Sequence, residues 1–468
     1  MVTLKKNLLY SSFSSILKFY SGSLIFILIA RYISVSDFGV LNFGFSLGLI
    51  VSTCAEFGYS LMASRDIPQK THALGLYIFN TLIQKTVVSI LMIGIFITYL
   101  ATFFNEQDLS IGQIFIIYGV CSSFIAYYQS LFRAKNYFHL ELLTILINAI
   151  FITVIIFLLI INEWQVEHIS LALVISRLIQ TSIVVLVYHL TFKQENTFKV
   201  DLKIQKYLTK HSWSFGLHFI IGTLYFQVDT QMLNYFLGNN AVGLYQASFK
   251  FIMLLLICFE VVFQVYLPYI ADQFKKSVSN TVYLLEKLIK YLTAISLLAF
   301  ATIVLLNEFL IEIIFGETYI DSAPLMPILA GMVIIRVIAS LYGILLTVGD
   351  FQHYRVKAVL VSFLFAITCN FYFIPKYGVY GAALVSIFTH LVLITMYVFF
   401  IKKHFSSSLI NSFGKVKLLV SAILLIVFYV FELNWNTITM TLLLVIITFW
   451  DLRFKELNSI LKYNKNIS

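Results

Sequence analysis

Along almost its whole length the chain repeats one pattern. An apolar run of about twenty residues is followed by a short break rich in charge, Gly, Asn or Pro, and then by another apolar run. Runs of that length match the hydrocarbon thickness of a bilayer crossed by a helix. They start near residues 8, 37, 74, 110, 139, 168, 211, 241, 284, 323, 354, 379, 416 and 436, which predicts about 14 transmembrane helices. The short alternating segments of a membrane β-barrel are missing. The pattern therefore predicts an all-α polytopic membrane protein.

Composition sharpens this. Hydrophobic residues make up 60% of the chain, charged residues 12%, and the mean hydropathy is +0.92. A soluble domain carries about 25% charged residues, so this chain lacks the polar surface to stay in water. Lys5 and Lys6 precede the first apolar run, as in a secretory signal. But Lys18 interrupts the run and no small-residue cleavage site follows, which predicts an uncleaved first helix. The four cysteines, Cys54, Cys121, Cys258 and Cys369, sit apart inside apolar runs and read as buried bystander thiols. No His or Cys cluster has metal-ligand spacing, and nothing predicts a cofactor.

The net charge of +10 has a simple source. Of the 32 basic residues, 25 fall in loops on one side of the predicted topology and only Arg31 and Lys376 on the other. A wrong span count would scramble such a bias, so both termini and the Lys193–Lys210 segment are expected in the cytoplasm. The basic charge thus reports membrane orientation and argues against a nucleic-acid partner. The opposite loops, such as "FNEQDLS" and "FGETYIDSA", are short and acidic, too small for a catalytic domain.

The two halves echo each other. "DFGVLNFGFS" from Asp37 resembles "AVGLYQASFK" from Ala241, with Gly39 and Gly243 204 positions apart. "ISLALVIS" from Ile169 resembles "VYGAALVS" from Val379, and "AKNYFH" from Ala134 is matched in position by "VGDFQHY" from Val348. The common order and offset predict a six-helix lobe at 1–190, a basic linker at 191–210, a second six-helix lobe at 211–402, and two further helices with a tail at 403–468. Parallel repeats of this kind place substrate between the halves near mid-membrane.

Eight ionisable residues fall inside the spans: Lys18, Glu56, Lys85, Arg177, Asp229, Lys250, Glu260 and Arg336. A charge at a helix centre costs about 2.5–3.5 kcal/mol, so the central ones are expected to face the bundle interior or water. Lys85, near a cytoplasmic helix end, is expected to snorkel. Asp229 and Lys250 flank the turn "GNN" at similar depth, so a structural ion pair and a polar substrate cavity both fit. Glu56 and Glu260 share the 204-residue offset and read either as proton or cation sites or as buried neutral acids. Arg177 and Arg336 sit near mid-span, suited to phosphate oxygens or to helix-to-helix hydrogen bonds. Abundant tyrosines such as Tyr225, Tyr245 and Tyr342 fit sugar stacking or plain packing.

Four stretches, "YFQVDTQMLNYFLGNNAVGLYQASFK", "VSDFGVLNFGFSL", "EFGYSLMASRDI" and "LFRAKNYF", resemble the Wzx-type polysaccharide flippases, the O-antigen and capsule translocases. These belong to the multidrug/oligosaccharidyl-lipid/polysaccharide exporter (MOP) superfamily, and the resemblance covers nearly the whole chain in order. It implies transfer of a polyprenyl-diphosphate-linked oligosaccharide from the cytoplasmic to the outer leaflet of a bacterial inner membrane by alternating access. It also implies a central cationic cavity, with Lys18, Arg177, Lys250 and Arg336 as candidates for holding diphosphate or acidic sugars. Glu56, Asp229 and Glu260 are the accompanying cavity or coupling candidates. Implied partners are the lipid-linked oligosaccharide, membrane lipids, and the polysaccharide polymerase and chain-length machinery.

Two rivals predict different residues. A multidrug or cation antiporter of the same superfamily favours an acidic cavity, whereas the spans here hold five basic and three acidic groups. A membrane polysaccharide polymerase needs a substantial outer loop. An ATP-driven pump is disfavoured, because no glycine stands five positions before Gly414, where a phosphate-binding loop ending in Gly414 and Lys415 needs one. A negative interior contributes about 2.3 kcal/mol per 100 mV for each negative charge moved outward, so an anionic headgroup needs no coupling ion.

Overall fold

The computed structural model describes residues 2–69, 74–162, 165–192 and 199–405. The two helices expected near 416 and 436, the tail, and residues 193–198 of the linker lie outside the described residues. Everything regular among the described residues is helical. Two compact units emerge, Met1–Gln246 and Ala247–Ser468, and they are taken in turn.

In the first unit, α1 (Val2–Phe19) passes through a π-helical turn at Tyr20–Leu24 into α2 (Ile25–Ala30). Then come α3 (Val35–Glu56), α4 (Tyr59–Asp66), α5 (Leu74–Phe103), α6 (Glu106–Ala134), α7 (Phe138–Ile161), α8 (Val166–Thr191), α9 (Leu202–Leu237) and the start of α10 (Asn239–Lys276). Local chemistry sets several boundaries. Ser34, Asn105 and Asp201 cap α3, α6 and α9 by accepting backbone N–H groups that the first helical turn leaves orphaned. α3 ends where Phe57 and Gly58 both take left-handed φ values, 45° and 81°. α3 and α6 approach closely because glycines line the seam. A Cβ on Gly119 would stand 2.4 Å from the Gly48 carbonyl oxygen, so neither backbone can be pushed back.

α9 explains the buried carboxylate at Asp229. The helix is more polar than the other spans, and its polar face is spent on neighbours. Gln231 donates to Ser46 Oγ and to the Phe43 carbonyl on α3, the hydroxyls of Thr223 and Thr53 bond at 3.0 Å, and Gln246 of α10 donates to Thr230. With so few apolar residues on that face, α9 drops out of the ten helices that qualify as membrane spans by length and apolarity alone. Its first turns are docked as well. Asn80 of α5 accepts the Asp201 N–H and donates to the Lys199 carbonyl, and Gln84 donates to Gln205 and Thr209.

The second unit holds the rest of α10, α11 (Val278–Phe315), a 3-10 turn at Glu317–Ser322, α12 (Leu325–Val348) and α13 (Gln352–His404). α12, apolar around most of its circumference with Arg336 its one charge, is almost wholly buried against α11 and α13, as so apolar a helix must be when it forms a core. The 53 residues of α13 contain Pro375 and a break at Gly378 (φ 62°, ψ −143°). They therefore read as two spans meeting where the sequence pattern places the start near 379. Large apolar side chains such as Ile90, Leu91 and Ile95 on α5 and Ile150, Val154 and Phe157 on α7 remain exposed in strips, which is a surface made for lipid. The protein is a multi-pass membrane protein.

Gly39 and Gly243, paired by the sequence repeat, meet. A Cβ on Gly39 would stand 1.8 Å from the carbonyl oxygen of Asn239, and one on Gly243 would stand 2.0 Å from that of Val35. Val35 and Asn239 are themselves 204 apart, so each glycine covers the other half's equivalent residue. The first turns of α3 and α10 thus cross backbone to backbone. Asn239 is anchored there by its amide, which donates to the buried Asp108.

Candidate functional site

Two cations of the first unit converge on one carboxylate. Glu141, in the first turn of α7, accepts hydrogen bonds on a single oxygen, Oε1, from Lys18 Nζ of α1 and Arg133 Nη1 of α6, each at 2.7 Å. The Glu141 side chain is 3% exposed, while Lys18 and Arg133 are 44% and 36% exposed. The acid therefore sits behind its two cations, which keep open faces. Arg177 of α8 lies within electrostatic reach of Lys18. Its guanidinium donates to Gln180 Oε1 and to the Tyr118 hydroxyl and lies 4.9 Å from the Tyr118 ring centre. Those partners are neutral, so its charge is not cancelled. Three cations and one carboxylate leave the cluster at +2. Sequence reasoning found Lys18 and Arg177 but missed Arg133, assigned to a loop, and Glu141, which opens a helix.

Glu56 is engaged elsewhere. It accepts from Lys85 Nζ at 2.7 Å and from the Ser60 N–H, closing the bend between α3 and α4. Lys85 is 0% exposed, donates also to the Ala55 carbonyl, and lies over the rings of Tyr59 and Phe124. The expectation that Lys85 snorkels is thus corrected. Its stem points inward because a half-buried carboxylate and two ring faces bind the ammonium better than a distant interface does. Asp229 accepts from the Tyr245 hydroxyl at 3.2 Å.

In the second unit, Lys250 is buried on α10. Ten residues on, Glu260 faces Arg336 of α12 at 3.7 Å, with 44% and 19% of their side chains exposed. Two pairs among the ionisable residues singled out from sequence therefore face each other within a unit, Glu56 with Lys85 and Glu260 with Arg336. Glu56 and Glu260, matched by the repeat, meet cations on different helices, α5 and α12. The buried His390 of α13 lies within electrostatic reach of Arg336, and its Nδ1 is 2.8 Å from the Ser386 carbonyl. A carbonyl only accepts, so Nδ1 carries the proton. The thiols are free, with Cys121 buried but Cys258 exposed, against the expectation that all are buried. An exposed thiol on an apolar helix faces lipid at little cost. Among the described residues no group of His, Cys, Asp and Glu is arranged to hold a metal ion.

A family model described as polysaccharide biosynthesis protein matches residues 4–274, more than half of the chain and all of the first unit's cation cluster. The chain belongs to the polysaccharide biosynthesis protein family. An uncharacterized membrane protein of Methanocaldococcus jannaschii is 23% identical over 348 residues, covering 68% of this chain and 67% of its own. Among solved structures, the lipid II flippase MurJ in an inward closed conformation matches with a TM-score of 0.70 at 14% identity, over 99% of both chains. An inward-facing multidrug resistance MATE family transporter of the MOP superfamily matches at 0.65 and 13% identity, over 82% of this chain and 93% of that one. The fold is the one shared by these two solved structures.

Proposed function

We propose that this protein carries a polyprenyl-diphosphate-linked oligosaccharide from the cytoplasmic to the outer leaflet of a bacterial inner membrane, with both termini in the cytoplasm and without covalent catalysis. The observation that carries this reading is the convergence of Lys18 and Arg133 on Glu141, with the uncancelled charge of Arg177 within electrostatic reach of Lys18, on helices of the family-matched region. A fixed excess of positive charge among membrane-spanning helices is costly unless an anion visits it. Guanidinium and ammonium groups suit the oxygens of a diphosphate. Family membership supports a polysaccharide substrate, and the likeness to a lipid II flippase supports a lipid-linked one.

The antiporter reading fits less well. An organic cation needs an accessible acid, and Glu56, Glu141 and Glu260 each face a cation already. Deleting the protein should abolish its surface polysaccharide and cause the lipid-linked repeat unit to accumulate. A deletion strain that keeps normal polysaccharide would remove the basis for the proposal, whereas one that loses drug resistance instead would favour the antiporter.

A further inference from the structure

The carboxylate at the centre of the cation cluster raises a question that anion binding alone does not answer. A site meant simply to attract a diphosphate gains nothing from an ionised glutamate holding two of its three cations. Two features make sense of it. First, because Lys18 Nζ and Arg133 Nη1 both bond the same oxygen at 2.7 Å, they stand no more than 5.4 Å apart, the sum of the two bonds. Glu141 thereby sets two flexible side chains, from α1 and α6, at a fixed spacing. Second, it lowers three positive charges to a net of two. A diphosphate esterified at both ends, to a lipid and to a sugar, carries two negative charges. A diphosphate esterified at one end only carries about three at neutral pH or above.

We propose that Glu141 is a positioning and specificity-determining residue, which organises Lys18 and Arg133 as a two-cation fork and tunes the site to the charge of a diphosphate diester over a monoester. The proposal rests on the reading of this chain as a carrier of a diphosphate-linked lipid. The surroundings support it. Lys18 and Arg133 keep open faces while Glu141 is closed behind them, so an incoming anion reaches the cations and not the acid. A hydrogen bond between Tyr20, in the π-helical turn that follows α1, and Thr153 of α7 at 2.8 Å holds the end of α1 in place without involving the cluster.

The test is a ratio, which general damage to the fold does not move. The full-length protein in detergent is titrated with farnesyl diphosphate, a monoester, and with the diester of farnesyl diphosphate and glucose. The native protein is expected to favour the diester. Glu141→Gln raises the net charge to +3 and should shift the ratio of the two dissociation constants toward the monoester by about tenfold, the effect of about one charge-assisted hydrogen bond. Arg133→Gln lowers the net charge to +1 and should shift the ratio the opposite way, which keeps the test intact should Glu141→Gln fail to fold. An unchanged ratio in both variants, or equal loss of both ligands, would overturn the assignment of Glu141 while leaving the flippase reading standing. A native protein that binds neither ligand would overturn both.

Discussion

The crossing of Gly39 and Gly243 makes a sharp demand on two methyl groups. In Gly39→Ala the new Cβ would begin 1.8 Å from the Asn239 carbonyl oxygen and 2.6 Å from its carbon, and in Gly243→Ala 2.0 Å from that of Val35. A carbon meets a carbonyl oxygen comfortably at about 3.3 Å, so the first turns of α3 and α10 must part by about 1.5 Å. Neither obstacle is a side-chain tip that can swing aside. Both are helical backbone, and Asn239 is further tied to Asp108. Overpacking a core costs about 1–3 kcal/mol, and a backbone-to-backbone wedge belongs at or above the top of that range. The assay is thermal: the midpoint for loss of monodisperse protein in detergent, compared with Gly94→Ala on α5, where a Cβ meets nothing within 4 Å. Gly94→Ala should be neutral or slightly stabilising, since alanine suits a helix better than glycine. Gly39→Ala and Gly243→Ala should each lose at least about 5 °C. The double variant should lose clearly less than the sum, because one displacement relieves both clashes. If either single variant matched Gly94→Ala, or the losses simply added, the repeat glycines would not share one contact.

Other expectations follow from the same geometry. Lys85→Met strands Glu56 beside apolar rings and should cost about 3–5 kcal/mol of stability, much of it recovered in Lys85→Met/Glu56→Gln, as judged by thermal midpoints; an unaffected single variant would mean the pair is not load-carrying. Cysteines placed at Gln107 and Lys203, both exposed, should react with an impermeant maleimide from opposite sides of the membrane; reaction from the same side would break the proposed topology. Lys250→Ala should abolish surface glycan at near-normal protein levels; full display in that variant would take Lys250 out of the transport path.

Much of the fold was legible because the bilayer enforces it. Span lengths, the break in α13 near residue 379 and the offset that pairs Gly39 with Gly243 all follow from a hydropathy period that the membrane cannot relax. The charged residues were legible less evenly. Arg177 and Arg336 stood out because mid-helix arginine has few explanations. Arg133 and Glu141 did not, because at helix ends the same residues serve as solvated loop charges, and one dimension does not tell which way they point. Lys85 was misjudged for that reason: its position near a helix end allowed snorkelling, while the acceptor that draws it inward lies 29 residues earlier in the chain. α9 shows the reverse difficulty. Its polar face looks unfit for a membrane until Ser46, Thr53 and Gln246 are seen beside it.

The central claim is that a cationic site in this protein moves a diphosphate-linked glycan across the membrane, and leaflet occupancy tests it most directly. In spheroplasts, the fraction of lipid-linked oligosaccharide that an impermeant reagent oxidises and labels from outside can be compared in native, deleted and Arg177→Ala strains. Arg177 is the choice because its described partners, Gln180 and Tyr118, are neutral, so its removal strands no buried charge. The account predicts labelling of most of the pool in the native strain. It predicts labelling near background in the deletion and in Arg177→Ala, with the variant protein present at native levels. Outside labelling that is the same in all three strains would contradict it.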